Sequence, residues 1–143
     1  MHRRTLYAIA LLSFAAGSLI TACLAHVSQV RAESNRVFEL RVYHAVPGKV
    51  PALEARFRNT ASKLLAKHGL DAVGYWVPQD NPAFDNTFVY ILAHSSREDA
   101  KKYWDAMHAD PGFQEMMKSE QADKSVEKVD SAYMRPTDFS PMK

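Results

Sequence analysis

Apolar and polar residues alternate with a period of two between residues 37 and 45. The two sides of this segment differ in chemistry, with Phe38, Leu40 and Val42 on one and Glu39, Arg41 and Tyr43 on the other. Alternation that includes β-branched and aromatic residues is typical of a half-buried strand. The strand ends at Pro47 and Gly48, because proline lacks the donor that a ladder needs and glycine permits a turn. The pattern predicts a first strand over residues 37–45, with the side that carries Phe38 packed under the helices.

The hydrophobic period changes to three and four between residues 49 and 68. The stripe consists of Val50, Leu53, Phe57, Ala61, Leu64 and His68. Pro51 lies in the first turn, where a missing N–H costs little, and Gly69 is a typical residue for the position after a helix. The segment is therefore predicted to be one amphipathic helix.

Two more strands are predicted in the middle of the chain. Residues 70–77 form the first of them, which ends at Pro78, and residues 86–94 form the second. The loop between them, residues 79–85, is rich in turn-forming residues. The pair is interpreted as an antiparallel hairpin.

A second helix is indicated after residue 95. Ser95 and Glu98 have the spacing of a capping box, in which each side chain bonds a free backbone N–H at the helix start. Its buried stripe consists of Ala100, Tyr103, Trp104 and Met107. Asp110, Pro111 and Gly112 end this helix, and residues 113–117 are predicted to add a single helical turn. Alternation returns over residues 125–134, which predicts the last strand.

The element order β-α-β-β-α-β predicts an α+β, ferredoxin-like fold with a four-stranded antiparallel sheet. Right-handed crossovers would place the first and fourth strands side by side. Each helix has one apolar stripe, so both helices are expected on one face of the sheet. The other face is expected to carry Glu39, Arg41, Tyr43, Trp76 and Tyr133, although alternation leaves open which of Tyr75 and Trp76 points that way. A second copy of the sheet would cover this face and form a homodimeric α+β barrel.

Residues 1–32 have the layout of an export signal, with Arg3 and Arg4 before a continuous apolar segment. Cleavage after Ala32 fits a small-x-small site and would release a periplasmic or secreted protein. Alternatively, the residues around Cys23 resemble a lipobox, and a lipidated Cys23 would attach the protein to a membrane. An uncleaved anchor is the third alternative. The mature domain is predicted over residues 33–136, and residues 137–143 form a tail.

Charge excludes one class of partner. The chain has 18 basic and 16 acidic side chains, but three of the basic ones precede Glu33 and all of the acidic ones lie at or after it. The mature part is therefore close to neutral and has no run of Lys or Arg, so no nucleic-acid binding is expected. Cys23 is the only cysteine, which rules out a disulfide within the chain.

Four histidines follow the leader: His44, His68, His94 and His108. Their spacing does not match a metal-ligand pattern, and the chain has no phosphate loop or dinucleotide motif, so no metal and no cofactor is predicted. His68 and His108 suit helix C-termini, where a partly protonated ring is favourable. His44 and His94 end two strands, where they are either solvated or approach each other across the sheet.

The candidate site is the group Glu39, Arg41 and Tyr43, with Trp76 and Tyr133 as further ligand-binding candidates. An acid, a guanidinium and a phenol on one strand face could bind and polarise a small carbonyl or phenolic ligand. Alternatively, Glu39 and Arg41 form structural ion pairs across strands or between subunits.

Three segments resemble the NIPSNAP family, both in their residues and in their order along the chain. The first runs from Phe38 to Tyr43 and on to Pro47-Gly48-Lys49, the second comprises His68-Gly69-Leu70 and Val73-Gly74-Tyr75-Trp76, and the third comprises residues 85–92, Ser96-Arg97-Glu98, Trp104 and Ala109-Asp110-Pro111. The resemblance implies a ferredoxin-like fold that pairs as a dimeric α+β barrel. The wider superfamily includes cofactor-free monooxygenases, haem enzymes and stress-response proteins, whereas the NIPSNAP family itself has no agreed reaction.

Two functions follow as hypotheses. In the first, the chain is a homodimeric small-ligand-binding or interaction module of the cell envelope. In the second, it is a small cofactor-independent monooxygenase that acts on an aromatic substrate. The second rests mainly on fold analogy, which is a weak argument for an activity.

Overall fold

The computed structural model describes residues 36–142. The predicted leader, the cleavage after Ala32 and the lipidation of Cys23 lie outside the described residues. Within residues 36–142, no helix is both long and apolar enough to cross a membrane.

Four antiparallel strands form one sheet in the order β2-β3-β1-β4. Their bounds are β1 Val37–Ala45, β2 Asp71–Trp76, β3 Thr87–His94 and β4 Val126–Met134. The first and fourth strands are neighbours, as the crossover rule predicted, and the α+β ferredoxin-like fold is confirmed. Each predicted strand lies within two residues of its observed bounds.

Three helices accompany the sheet. Helix α1 is continuous and has three parts, Val50–Arg56, a π-helical segment Phe57–Ala61, and Ser62–Lys67. Helix α2 is Arg97–His108 and helix α3 is Pro111–Asp123, while a 3₁₀ turn at Pro82–Phe84 lies in the loop between β2 and β3.

Two predictions about the second helical region were wrong. Helix α2 is capped by Ser96, whose Oγ accepts the N–H of Asp99 at 3.0 Å, whereas the sequence had indicated Ser95 with Glu98. The single turn expected after Gly112 is instead a helix of 13 residues. It begins at Asp110, whose Oδ1 accepts the N–H of Gly112 at 2.7 Å, and proline is well tolerated at its first position.

The orientation of β1 was also predicted the wrong way round. Glu39 and Arg41 contact Trp104 on α2, and Tyr43 packs edge-on against Phe57 on α1, so these three side chains point toward the helices. Alternation fixes which residues share a face but not which face the helices cover. Here the polar residues find partners on the helices, and the apolar residues of β1 take the other side.

The face turned away from the helices is here called the open face. By strand pairing it carries an apolar set that includes Leu40, Val42, Trp76, Val89, Ile91 and Ala132. Trp76 is 47% exposed, and its ring lies over Gly74, where an added Cβ would come within 2.8 Å of it.

The core lies between the sheet and the helices. Its most deeply buried members include Leu53 and Leu65 of α1, Tyr90 and Leu92 of β3, and Met107 of α2. A row of packed rings crosses the core from β2 to α1, with Phe57 and Phe88 closest at 4.6 Å between centroids. Tyr75 joins this row, so Tyr75 rather than Trp76 points to the helices.

Candidate functional site

A cavity of about 250 Å³ lies between the sheet and the helices. Its floor is formed by the sheet and its walls by all three helices. The cavity is lined by side chains from the sheet and from each helix. They include Arg41, Tyr43 and Tyr90 from the sheet, Arg56 and Phe57 from α1, Trp104 and His108 from α2, and Phe113, Met116 and Glu120 from α3. Most of this lining is aromatic or methionine, and the polar groups are few.

The π-helical part of α1 borders the cavity. Phe57 and Ala61, the first and last residues of this part, both line it. A π segment adds a residue to the helical turn, and such segments are frequent at functional sites. Phe57 is buried and also packs on Tyr43 and Tyr90, so this segment fixes the aromatic side of the cavity.

Arg41 is the main polar group on the floor. Its guanidinium carbon lies 4.8 Å from the ring centroid of Trp104, and its Nη1 donates to Oε1 of Glu39 at 3.1 Å. Burial by itself would lower the pKa of Arg41, but the neighbouring Tyr90, Tyr43 and Glu39 outweigh it and raise that pKa. Arg41 is therefore a permanent cation that lies over an indole ring.

Glu39 holds Arg41 and Trp104 in place from behind the cavity wall. Its Oε2 accepts the indole N–H of Trp104 at 2.8 Å and lies 3.0 Å from Nε2 of His94. Burial would raise the pKa of Glu39, but hydrogen bonds from His94 and Trp104 and the charge of Arg41 lower it overall. The carboxylate is 3% exposed and stays ionised because three donors surround it. Since an ionised carboxylate only accepts, Nε2 of His94 carries the hydrogen.

A second ion pair closes the far end of the cavity. Arg56 on α1 contacts Glu120 on α3 through Nη1, and the same Nη1 lies 3.4 Å from Oγ of Ser125. Glu120 also accepts the backbone N–H groups of Ser125 and Val126, each at 2.9 Å. Burial lowers the pKa of Arg56. The pair joins α1, α3 and the start of β4 around one carboxylate.

His108 and Trp104 form the upper wall on α2. Their rings are stacked, with centroids 5.6 Å apart and an angle of 28° between planes. Phe113 also packs against His108, with the ring centroids 5.2 Å apart. His108 thus places a titratable ring next to the cavity and close to the Arg41–Trp104 stack.

The predicted site residues divide into three groups. Arg41 and Tyr43 line the cavity, and Glu39 supports it from behind. Trp76 lies on the open face and does not line the cavity. Tyr133 shares the helix side of the sheet but stacks under Arg97 at 4.3 Å, outside the cavity.

Sequence reasoning missed several residues that line the cavity. Trp104 and Met107 were interpreted as core, which is where the helical stripe places them, and the same burial brings Trp104 to the cavity wall. Tyr90, Arg56 and Glu120 carried no pattern that separates them from ordinary core or surface residues. Tyr90 lies opposite Arg41 in the neighbouring strand, so the pairing of β1 with β3 brings it to the same side of the sheet.

The two strand-end histidines lie far apart on different faces. His94 is completely buried on the helix side, bound to Glu39, whereas His44 lies on the other side of the sheet, 2.9 Å from Asp130. Neither the mutual approach nor the solvated interpretation of His94 is correct. His68 lies at the end of α1, as expected, and its Nε2 is 2.8 Å from Oδ2 of Asp110.

The residues described by the structure do not include a group of three or more His, Cys, Asp or Glu side chains arranged to hold a metal ion. The cavity instead offers a guanidinium, phenols and aromatic walls. That is the chemistry of an organic ligand site.

The NIPSNAP family model matches residues 38–141, which include every strand and helix described above except the first residue of β1. The chain belongs to the NIPSNAP family. The match also includes Arg41, Arg56, Trp104 and Glu120, so the cavity is part of the family domain. The comparison with curated proteins gives no match.

Solved structures of other family members share the fold of this NIPSNAP chain. A NIPSNAP family protein of unknown function from Agrobacterium tumefaciens is 24% identical, with a TM-score of 0.69 over 77% of this chain and 96% of that chain. A NIPSNAP-like domain protein from Burkholderia xenovorans is 18% identical, with a TM-score of 0.67 over 76% and 90%. A cofactor-independent oxygenase from Streptomyces nogalater is 16% identical, with a TM-score of 0.52 over 75% and 98%. At these identities the likeness concerns the fold.

Proposed function

We propose that this protein binds a small aromatic ligand in the cavity between its sheet and its helices. The observation that carries the proposal is the cavity itself, about 250 Å³ in volume and enclosed by elements from both halves of the chain. Ligand sites are typically apolar concave spaces with a few oriented polar groups. Arg41 and Tyr43 are such groups here, and both are held in place by contacts that do not involve a ligand.

The cavity walls suit a flat apolar body. Phe57, Trp104 and Phe113 present ring surface from three different helices, and aromatic rings stack on one another at little entropic cost. Met116 lies beside them, and its flexible thioether adapts to the outline of a bound molecule.

The proposed binding protein is a homodimer paired through its open face. Val42, Ile91 and Trp76 belong to an apolar surface that a second copy would remove from water. The sequence of residues 1–32 further suggests export, and a mature protein that is periplasmic, secreted or anchored through Cys23. In this arrangement each subunit has its own cavity behind the shared sheet interface.

Calorimetric titration with 1-naphthol, a neutral aromatic probe, tests the ligand site. We expect binding with a dissociation constant below about 1 mM, equivalent to more than about 4 kcal/mol. The variant Met116→Trp should abolish it by filling the cavity. Met142→Trp is the matched control, because Met142 is 46% exposed outside the cavity and accepts the same bulk without touching it. Equal binding by both variants would contradict the proposal.

The alternative function is a cofactor-independent oxygenation in the same cavity. The observation that favours it is the presence of His108 and Arg41 in one lining, a candidate base beside a cation that would stabilise a phenolate. The electron-rich substrate would itself reduce oxygen: 1-naphthol and O₂ give naphthoquinone and water, and each product receives one of the two atoms of O₂. Oxygen uptake with 1-naphthol that is lost in His108→Gln would support this reaction. Binding without uptake would leave only the binding function.

A further inference from the structure

Both arginines that line the cavity keep one donor without a partner. Among residues 36–142, the buried side-chain nitrogen and oxygen atoms that lack a hydrogen bond are Nε of Arg41, Nε of Arg56 and Nδ1 of His94. Arg41 and Arg56 belong to the cavity lining. In both, the ion pair to the protein uses Nη1, so it does not satisfy Nε.

An unused N–H on a buried guanidinium is costly. Leaving a buried donor unsatisfied costs about 1–3 kcal/mol, and more when the group is charged. Native proteins contain few such groups, so the two arginines of the cavity lining call for an explanation. His94 differs, because it does not belong to the cavity lining.

The charges of the lining do not cancel. Arg41 and Arg56 are cations, whereas Glu120 is the only carboxylate among the described residues that line the cavity. Glu120 faces Arg56 directly, so that guanidinium is already neutralised. Glu39 divides its charge among Arg41, His94 and Trp104, which leaves Arg41 the less compensated of the two cations.

We propose that the ligand is an aromatic anion, a carboxylate on a body of one or two rings, and that Arg41 binds its charged oxygen. This inference rests on the proposed ligand function and specifies the ligand class. The rings of the ligand lie among Phe57, Trp104 and Phe113, and the carboxylate accepts from the guanidinium of Arg41. Hydrogen bonds between a guanidinium and a carboxylate are about twice as strong as neutral ones and are directional.

The test compares two probes of the same shape, 2-naphthoate and its neutral amide 2-naphthamide, by calorimetry on the full chain. Wild-type protein should bind the naphthoate at least about tenfold more tightly, a difference of about 1.4 kcal/mol. In Arg41→Met the preference should fall to within about twofold, because the attraction that distinguishes the charged probe from the neutral one is removed. Arg97→Met is the matched control, because Arg97 also stacks on an aromatic ring but lies outside the cavity, and it should keep the full preference.

The outcomes separate this inference from the proposed function. If wild-type protein binds both probes equally, and Met116→Trp abolishes both, the anion class is wrong and the ligand site stands. If neither probe binds, both proposals are wrong. The comparison of two probes on wild-type protein decides the question even if Arg41→Met does not fold.

Discussion

Glu39 and Trp104 are 65 residues apart in the chain, and a hydrogen bond of 2.8 Å joins the carboxylate of the first to the indole N–H of the second. This contact connects the central strand β1 to helix α2. The same carboxylate receives Arg41 and His94, so one side chain on β1 sets the position of two cavity residues and one buried histidine. The orientation of β1, with its polar side toward the helices, follows from these contacts.

The Glu39→Gln variant should lower the free energy of unfolding by about 2–4 kcal/mol, because the amide cannot accept from all three donors and leaves buried partners unsatisfied. Urea unfolding followed by far-UV circular dichroism measures the change. Glu127→Gln, at an exposed position on β4, is the control and should change the value by less than about 0.5 kcal/mol. Similar small effects for both variants would show that the buried carboxylate does not organise this part of the core.

Stability should fall as the pH is lowered through the acid range. Hydrogen bonds from Lys67 and His68 and from the backbone of Gly112 hold the pKa of Asp110 well below its ordinary value, and the pKa of Glu39 is also lowered on balance. The unfolded chain therefore binds more protons than the folded chain at acid pH. The stabilisation is complete above the unfolded pKa values, about 4 to 4.5, and is lost as the pH falls toward the folded ones.

Thermal unfolding measured from pH 6 downward, a range that crosses about pH 4, tests this dependence. Asp110→Asn should have a lower melting temperature at neutral pH, and this temperature should fall less in acid, since one of the carboxyl groups with a lowered pKa is removed. Asp71→Asn, at an exposed position on β2, is the control and should retain the pH dependence of the wild type. If the melting temperature of Asp110→Asn fell in acid as much as that of the wild type, the role of the Lys67–Asp110–His68 cluster would be contradicted.

Placing a charge on the open face should separate the proposed dimer. Ile91 lies opposite Leu40 on that face, and an aspartate there would have to be buried without a partner in the dimer. For Ile91→Asp we expect the dimer dissociation constant to rise by at least about a hundredfold, or about 2.7 kcal/mol. Sedimentation equilibrium measures it. Phe84→Asp also replaces an exposed apolar residue, but away from the sheet, and should remain dimeric. A monomeric wild-type protein at micromolar concentration would exclude the dimer altogether.

Lys124 ends helix α3 in a left-handed conformation, with φ 46° and ψ 53°. This conformation costs an L-residue about 1–2 kcal/mol, whereas glycine adopts it freely. Lys124→Gly should therefore raise the free energy of unfolding by about 0.5–1 kcal/mol. Lys118→Gly, in the interior of the same helix, should lower it by about 1 kcal/mol. If the helix ends as described, chemical denaturation should show that the two variants change the free energy of unfolding in opposite directions.

Periodicity predicted the strands and the first two helices to within a few residues, because side chains recur every second residue in a strand and about every 3.6 residues in a helix. Helix α3 gave no such signal. None of its residues is fully buried and its second half is polar, so the sequence showed only one turn. Its caps at Asp110 and Lys124 define its length instead.

Candidate residues were predicted less completely than the fold. Arg41 and Tyr43 were found because an acid, a guanidinium and a phenol on one strand face are chemically unusual. Trp76 was placed with them because alternation cannot distinguish it from Tyr75, and the bulge between Ala72 and Gly74 shifts the register of β2 in that region. Arg56 and Glu120 could not be found, since nothing in the sequence connects a residue of α1 with one of α3.

The sequence alone determined the order of the elements, the ferredoxin-like topology and the set of residues that share each strand face, because these depend on local period and on short crossovers. The face of β1 that meets the helices, in contrast, depends on contacts between distant parts of the chain. Both faces of that strand carry side chains that can be buried, and the choice depends on partners such as Trp104 and His94 that lie far away in the chain. The cavity is a consequence of that choice, since it brings Arg41 under the helices.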